Sequence, residues 1–416
     1  MIYLDNAAST AVHPEVVKEM IPYFDVQYGN PSSIHQFGRK AKNAIQKARK
    51  QVAALIGAEP DEILFTSGGT ESNNTILYAH RTRPILHPQS EVQKNHIITS
   101  SIEHEAILQP CKKLETVAYN RRGGMPTTKI TRLQVDEHGM VKLDELTKSI
   151  TKDGISYDGY NTVLVSIMFA NNEVGTIQPI KEISEICKEN NIAFHTDAVQ
   201  AVGKVPINVK DLGVDFLSIS SHKINGPKGV GALFIRKDRM MGQFFNELPY
   251  IRGGGQENGL RSGTENVTSI VGFGKACEIA KERLNENISH FQTLHSSTLS
   301  RIIKEIPHVK LNGHPDKRIF NNIHLTFLGV NGEDLIIKLD EYGVAASTGS
   351  ACSIHTQKAS HVLQAMGFNH EQITGSLRIS FGYLNTLDEV DQTVEVLKKV
   401  VAELRSVSPY KIKYNF

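Results

Sequence analysis

The chain has 416 residues, 40% hydrophobic and 22% charged, with a formal charge of +2, a size that allows two or three domains and ample core. Near charge balance gives no reason to expect nucleic acid or an anionic membrane as partner, no apolar run approaches the ~20 residues of a membrane span, and the N-terminus lacks a basic region leading into an apolar signal core. Cys111, Cys187, Cys277 and Cys352 are scattered without C-x-x-C pairing, which argues against a disulfide framework or an all-cysteine zinc site and fits a reducing compartment, so a cytoplasmic protein is expected.

The opening YLDNAAST is a short apolar start followed by small polar residues. It reads as a strand end or loop beside a polar site, with Pro14 beginning a helix. From 39 to 56, Ala41, Ala44, Ile45, Ala48, Val52, Leu55 and Ile56 recur at helical spacing and Gly57 is the stop signal. In EILFTSGGTESNNTILYAH, residues 62–66 read as a strand, 67–69 as a tight turn and Thr70 onward as a helix. Glycines at such a turn expose N–H groups at a positive helix end, which is a ready phosphate site to which Thr70 adds a hydroxyl. A capping turn with no ligand is the alternative.

Residues 81–95, with Pro84 and Pro88, read as a surface loop. A strand at 96–101 then ends in Glu103 and His104, and a histidine past a strand's C-terminal end lies where open α/β sheets place ligands, unless it is a capping or core histidine. The stretch 118–134 carries Arg121, Arg122, Lys129 and Arg132 without interleaved aromatics, so it reads as a solvated excursion. Residues 163–170 form a buried-type strand followed by Asn171, Asn172 and Glu173, 180–189 is helical in pattern, and 192–198 is a strand bearing Asp197, with Gln200 beyond it. Alone, Asp197 reads as a buried acceptor or a helix N-cap.

The stretch DFLSISSHKINGPKGVGALF (215–234) reads as strand, polar loop, strand. Lys223 lies between the two apolar runs. It is either a solvated turn lysine or an amine whose pKa desolvation pulls down, and the second is a nucleophile able to form a Schiff base with the aldehyde of pyridoxal phosphate. Ser220 and His222 are the donor types a phosphate beside it needs. Strands alternating with helices imply a mostly parallel sheet covered on both faces. From Thr264 the texture changes: a long helix to about Asn287, then helices at 332–342, 358–366 and 387–404 alternate with strands at 322–327 and 376–380, which reads as a smaller α+β domain.

Ten ordered segments, YLDNAAST, GNPSSIH, SGGTESNN, SIEHEA, NNEVGTIQP, HTDAVQ, SSHKINGPKGVGAL, GGGQENGLRSGTEN, STGSAC and LRIS, resemble the cysteine desulfurases, pyridoxal-phosphate enzymes of fold type I in the class V aminotransferase group. The resemblance implies an α/β large domain (16–262) with a seven-stranded-type, mostly parallel sheet, and a smaller α+β domain (1–15 and 263–416). It makes Lys223 the Schiff-base lysine, Asp197 the partner of the pyridine nitrogen, and His104 the residue stacked over the ring that helps move protons. Gln200 and Asn172 contact the ring's phenolic oxygen and the substrate. Gly69, Thr70, Ser220 and His222 hold the phosphate, together with Thr264 from the other subunit of a homodimer. Arg378 grips the substrate carboxylate.

Cys352, in a run of small residues, is on its own an inert turn cysteine or a thiolate that reaches substrate. The resemblance makes it the sulfur acceptor, with Ser350 and Ala351 before it marking the long-loop branch. The implied reaction takes L-cysteine to L-alanine and leaves a persulfide for an acceptor protein such as an iron–sulfur scaffold; selenocysteine lyase or another enzyme of the group is the alternative. Asn258 stands where the family often has arginine, and the chain stops soon after Ser408, without the extended tail by which some members dock their scaffold.

Overall fold

The computed structural model describes residues 1–81, 94–116, 128–150, 160–240, 250–348 and 359–409. Its strands in chain order are β1 (Ile2–Tyr3), β2 (Ile63–Thr66), β3 (Asn95–Ser100), β4 (Lys129–Leu133), β5 (Asn161–Ser166) and β6 (Ala193–Asp197), followed by β7 (Phe216–Ser220), β8 (Gly231–Ile235), β9 (Val309–Asn312), β10 (Asn322–Phe327), β11 (Val344–Ala345) and β12 (Ser376–Ser380). Among the described residues a seven-stranded sheet runs β2-β8-β7-β6-β5-β3-β4. Only β8 is antiparallel to its neighbours.

The strands are apolar on both faces because helices cover both. Phe65, Ile98, Val165, Phe194 and Leu217 point into one core, beside the helices Gln36–Ile56, Ile180–Glu189 and Val267–Glu282. Their chain neighbours Leu64, Ile97, Leu164, Ala193 and Phe216 point into the other, against Ile76, Leu77, Ile107 and Cys111 of the helices Gly69–Ala79 and Glu105–Thr116. The two-residue side-chain period of a strand makes this division automatic.

One sequence expectation is corrected here. Lys129–Leu133 lies inside the stretch read as a solvated excursion, yet it forms β4, the edge strand, paired in parallel with β3. Its charges survive because an edge strand keeps a solvent side: Arg132 pairs with Glu115 at 2.7 Å. Residues 117–127 and the proline-bearing 82–93 lie outside the described residues.

A separate core gathers Phe291, Leu294, Leu325, Phe327, Leu377, Val394 and Leu397 around the sheet β12-β10-β9. The N-terminus joins it. β1 pairs with β11, with Ile2 opposite Val344, and Leu4 is buried in that core. From there residues 5–10 cross to the β7–β8 turn, where Thr10 N–H donates to the His222 carbonyl at 3.0 Å.

Candidate active site

The parallel strands all end on one edge of the main sheet, and the polar residues cluster there. Ser67–Thr70 follow β2, His104 follows β3, Asn172 follows β5, Asp197 closes β6, and Ser220, His222 and Lys223 stand at the end of β7. Together with Ala7, Ala8, Gln200, Ala359, Ser360, His361 and Arg378 they line one cavity of about 870 Å³. Carboxyl ends of parallel strands are where an open α/β sheet leaves such a crevice.

The phosphate-type cradle is built from absent side chains. A Cβ on Gly69 would stand 2.7 Å from Val199 Cγ2, and a Cβ on Gly231 of β8 would stand 2.7 Å from Gly68 Cα. Only glycines let this turn sit against β8 and open the helix Gly69–Ala79 toward the cavity. The first N–H groups of that helix have no intrahelical acceptor, and Thr70, Ser220 and His222 stand beside them. His222 accepts from or donates to Ser9 Oγ at 3.2 Å. Burial, then Lys223, Lys228 and Lys204, pushes its pKa down to about 4, so the ring is neutral in this pose.

Lys223 Nζ donates to the carbonyls of Ala7 at 2.6 Å and Ala8 at 2.7 Å. Asp197, buried, accepts from Asn73 Nδ2 at 2.6 Å and from Val199 N–H at 3.0 Å. These bonds hold the carboxylate at the cavity floor. His104 Nδ1 accepts from Ala106 N–H at 3.1 Å, which leaves Nε2 as the proton-bearing nitrogen of the neutral ring. Its pKa is lowered by burial, opposed by Asp197 and reinforced by Lys223. Arg378, at the centre of β12, donates to Asp5 Oδ1 at 2.7 Å and to the Asn172 carbonyl at 2.8 Å. Gln200 Nε2 donates to the Ala7 carbonyl at 2.9 Å.

These groups fit pyridoxal phosphate: an amine, a buried carboxylate, an imidazole, and an anion cradle that a Cβ would fill share one cavity. One residue proposed from the sequence does not stand where a helix start was expected. Thr264 is exposed, away from the cavity lining, and it does not open a helix; Asn266 caps Val267–Glu282 by accepting from Ser269 N–H at 3.1 Å. Cys352 lies outside the described residues. The chain on either side of its segment is at the site: Ser347 exchanges main-chain hydrogen bonds with Arg378, and Ala359, Ser360 and His361 line the cavity.

Several site residues have no signal in the sequence. Asp5 clamps Arg378, Asn73 orients Asp197, and Lys204 holds Gln200. Two buried carboxyls adjoin the cavity, Glu173 in its lining and Glu103 next to His104 in the chain. Glu103 accepts from Ser100 Oγ at 2.6 Å and Met168 N–H at 2.9 Å, and burial raises its pKa to about 8. Glu173 meets Ser360 Oγ at 2.6 Å, and its pKa is raised by burial as well. Each is an ordinary acidic residue until the fold closes over it.

The other three cysteines are inert packing groups. Cys111, Cys187 and Cys277 are buried in helices. Burial pushes the Cys111 thiol up to about 12 and raises the other two as well, so none supplies a thiolate.

The family model for aminotransferase class V matches residues 2–393. A cysteine desulfurase IscS of Methanosarcina thermophila is 48% identical over 412 residues, covering 98% of this chain and 94% of its own length. A solved NifS-like protein superposes with a TM-score of 0.83 at 38% identity, covering 97% of this chain and 99% of its own. A solved complex of SspA with cysteine gives a TM-score of 0.74 at 35% identity, covering 92% and 99%.

Proposed function

The chain belongs to the class-V aminotransferase family, and we infer from that membership that it is a pyridoxal-phosphate enzyme that converts L-cysteine to L-alanine, a cysteine desulfurase. The observation that carries this reading is one cavity holding Lys223, Asp197, His104 and Arg378, with the flanks of the Cys352 segment at its wall and the other three cysteines buried elsewhere. Selenocysteine lyase or another enzyme of the group is not favoured, since the relatives named for an activity are cysteine desulfurases.

Bound pyridoxal phosphate supplies an electron sink for the pair released at the substrate's Cα. The chain's own residues do the rest. The helix start at Gly69 and Thr70, with Ser220 and His222, holds the phosphate. Asp197, aimed by Asn73, keeps a proton on the ring nitrogen. Gln200 and Asn172 orient the ring's oxygen and the substrate, and Arg378 binds the substrate carboxylate. Lys223 Nζ anchors the cofactor aldehyde and later moves the Cα proton, with His104 Nε2 beside it.

Cys352 Sγ, as thiolate, attacks the sulfur of the substrate. The new S–S bond forms as the substrate's C–S bond breaks, the electron pair leaves with carbon, and a proton taken up there completes alanine. The enzyme keeps a persulfide for a sulfur-acceptor protein such as an iron–sulfur scaffold.

A cytoplasmic homodimer is part of the same proposal. No described helix is long and apolar enough to cross a membrane. Thr264 is exposed, as a residue offered to a partner's phosphate site must be. The separate core around β10 supports a division into two units, but the helix Val267–Glu282 packs in the larger core, so the proposed division into 16–262 and 1–15 plus 263–416 moves its boundary to the end of that helix.

Replacing Cys352 with Ala tests the reaction. Cofactor and substrate binding should persist while single-turnover alanine formation falls by at least about a thousandfold, ~4 kcal/mol of transition-state stabilisation, and mass spectrometry of cysteine-treated wild type should find the extra sulfur on Cys352. Undiminished alanine release, or a persulfide on Cys111, Cys187 or Cys277, would sink this mechanism.

A further inference from the structure

Lys204 is a buried lysine, 8% exposed, in the turn after β6. Among the described residues no carboxylate pairs with it. Its Nζ donates instead to two oxygens of one residue, the main-chain carbonyl of Gln200 at 3.1 Å and its Oε1 at 3.1 Å. The charged groups that face it are cations: Lys223 and Arg378 act on it, and Arg283 lines the small cavity it shares with Lys223. Asp5 and Asp197 are engaged elsewhere, with Arg378 and Asn73. A buried amine placed among cations is costly, so what it does for Gln200 is the question.

A carboxamide can turn over and exchange its oxygen for its NH2. Here both ends are determined. Burial, then Lys223 and Arg378, pulls the Lys204 pKa down to about 7; while it carries its proton it only donates, so the Gln200 oxygen must face it, and the Ala7 carbonyl only accepts, so the NH2 must face Ala7, at 2.9 Å. One hydrogen of that NH2 goes to Ala7, and Gln200 lines the active-site cavity. We propose that Lys204 is a positioning residue of the active site, which locks the Gln200 amide with its NH2 edge toward the cavity and so presents a donor to an oxygen anion on a bound ring. The inference rests on the cofactor reading above.

The test is the pH titration of the visible band of the holoenzyme reconstituted with pyridoxal phosphate. In Lys204→Met only the Ala7 carbonyl still holds the amide, the donor to the ring oxygen is weakened, and the midpoint of the titration should rise by up to about one pH unit, equivalent to ~1.4 kcal/mol. Lys204→Arg, which keeps a donor-only cation, should stay near wild type. In a Gln200→Leu background, Lys204→Met should add no further shift. Should the methionine variant fail to fold, Lys204→Gln, one bond shorter but polar, gives the same comparison. A lower melting temperature with an unmoved midpoint, or a full shift that persists without Gln200, overturns the proposal. A wild type that binds no chromophore overturns the cofactor reading itself; a chromophore whose midpoint ignores Lys204 overturns only this inference.

Discussion

Glu103 carries its carboxyl fully buried beside the site, with a hydroxyl and one main-chain N–H as partners and, among the described residues, no cation. The folded protein holds its proton up to about pH 8, whereas an unfolded glutamate releases it near 4.5. The stabilisation that comes from this proton is therefore complete below about pH 4.5 and is lost as pH rises through 8. Glu103→Gln keeps the shape and cannot ionise. Urea unfolding of wild type at pH 5 and pH 9 should differ by a few kcal/mol more than in Glu103→Gln; equal pH slopes in the two proteins would count against a buried, protonated Glu103. At the same scale, Gly69→Ala forces a Cβ to 2.7 Å from Val199. Pyridoxal-phosphate affinity should fall about tenfold or more, ~1.4 kcal/mol, with little change in melting of the apoprotein. Equilibrium dialysis that finds wild-type affinity would show that the cradle tolerates the methyl group.

At the scale of elements, the helices Gln36–Ile56 and Val267–Glu282 pack through a contact of small residues. A Cβ on Gly274 would lie 2.6 Å from Ala48 Cα and 2.7 Å from its Cβ, so the two backbones approach only because position 274 has no side chain. Gly274→Val should cost about 1–3 kcal/mol in chemical denaturation while leaving the cofactor spectrum intact, since neither Gly274 nor Ala48 lines the active-site cavity. A variant as stable as wild type would mean that the helices can slide apart. These helices were readable because both carry apolar residues at helical spacing. The edge strand Lys129–Leu133 was not. Its lysine and arginine resemble a loop in sequence, and only pairing with β3 turns them into the solvent side of a strand.

At the scale of the whole molecule, the exposed apolar residues concentrate within 21–37, where Phe24 is 69% and Ile34 91% exposed. Such a cluster on a folded surface marks an interface. The proposed homodimer would cover it and carry Thr264 to the partner's phosphate cradle. Sedimentation should give a dimer, and Phe24→Asp with Ile34→Asp should shift it toward monomer and weaken cofactor retention. A wild-type monomer that keeps its cofactor would refute the shared site.

The sequence by itself determined the alternation of strands and helices, the glycine turn before Thr70 and the lysine between two apolar runs, because these are local: side-chain period, chain reversal and backbone freedom are written within a few residues. The lines joining Asp5 to Arg378, Asn73 to Asp197 and Glu173 to Ser360 connect residues 373, 124 and 187 positions apart. No local pattern distinguishes these partners from solvated polar residues. Only the tertiary structure decided them, since burial removes water as the competing partner and leaves each polar group with the few neighbours that can satisfy it.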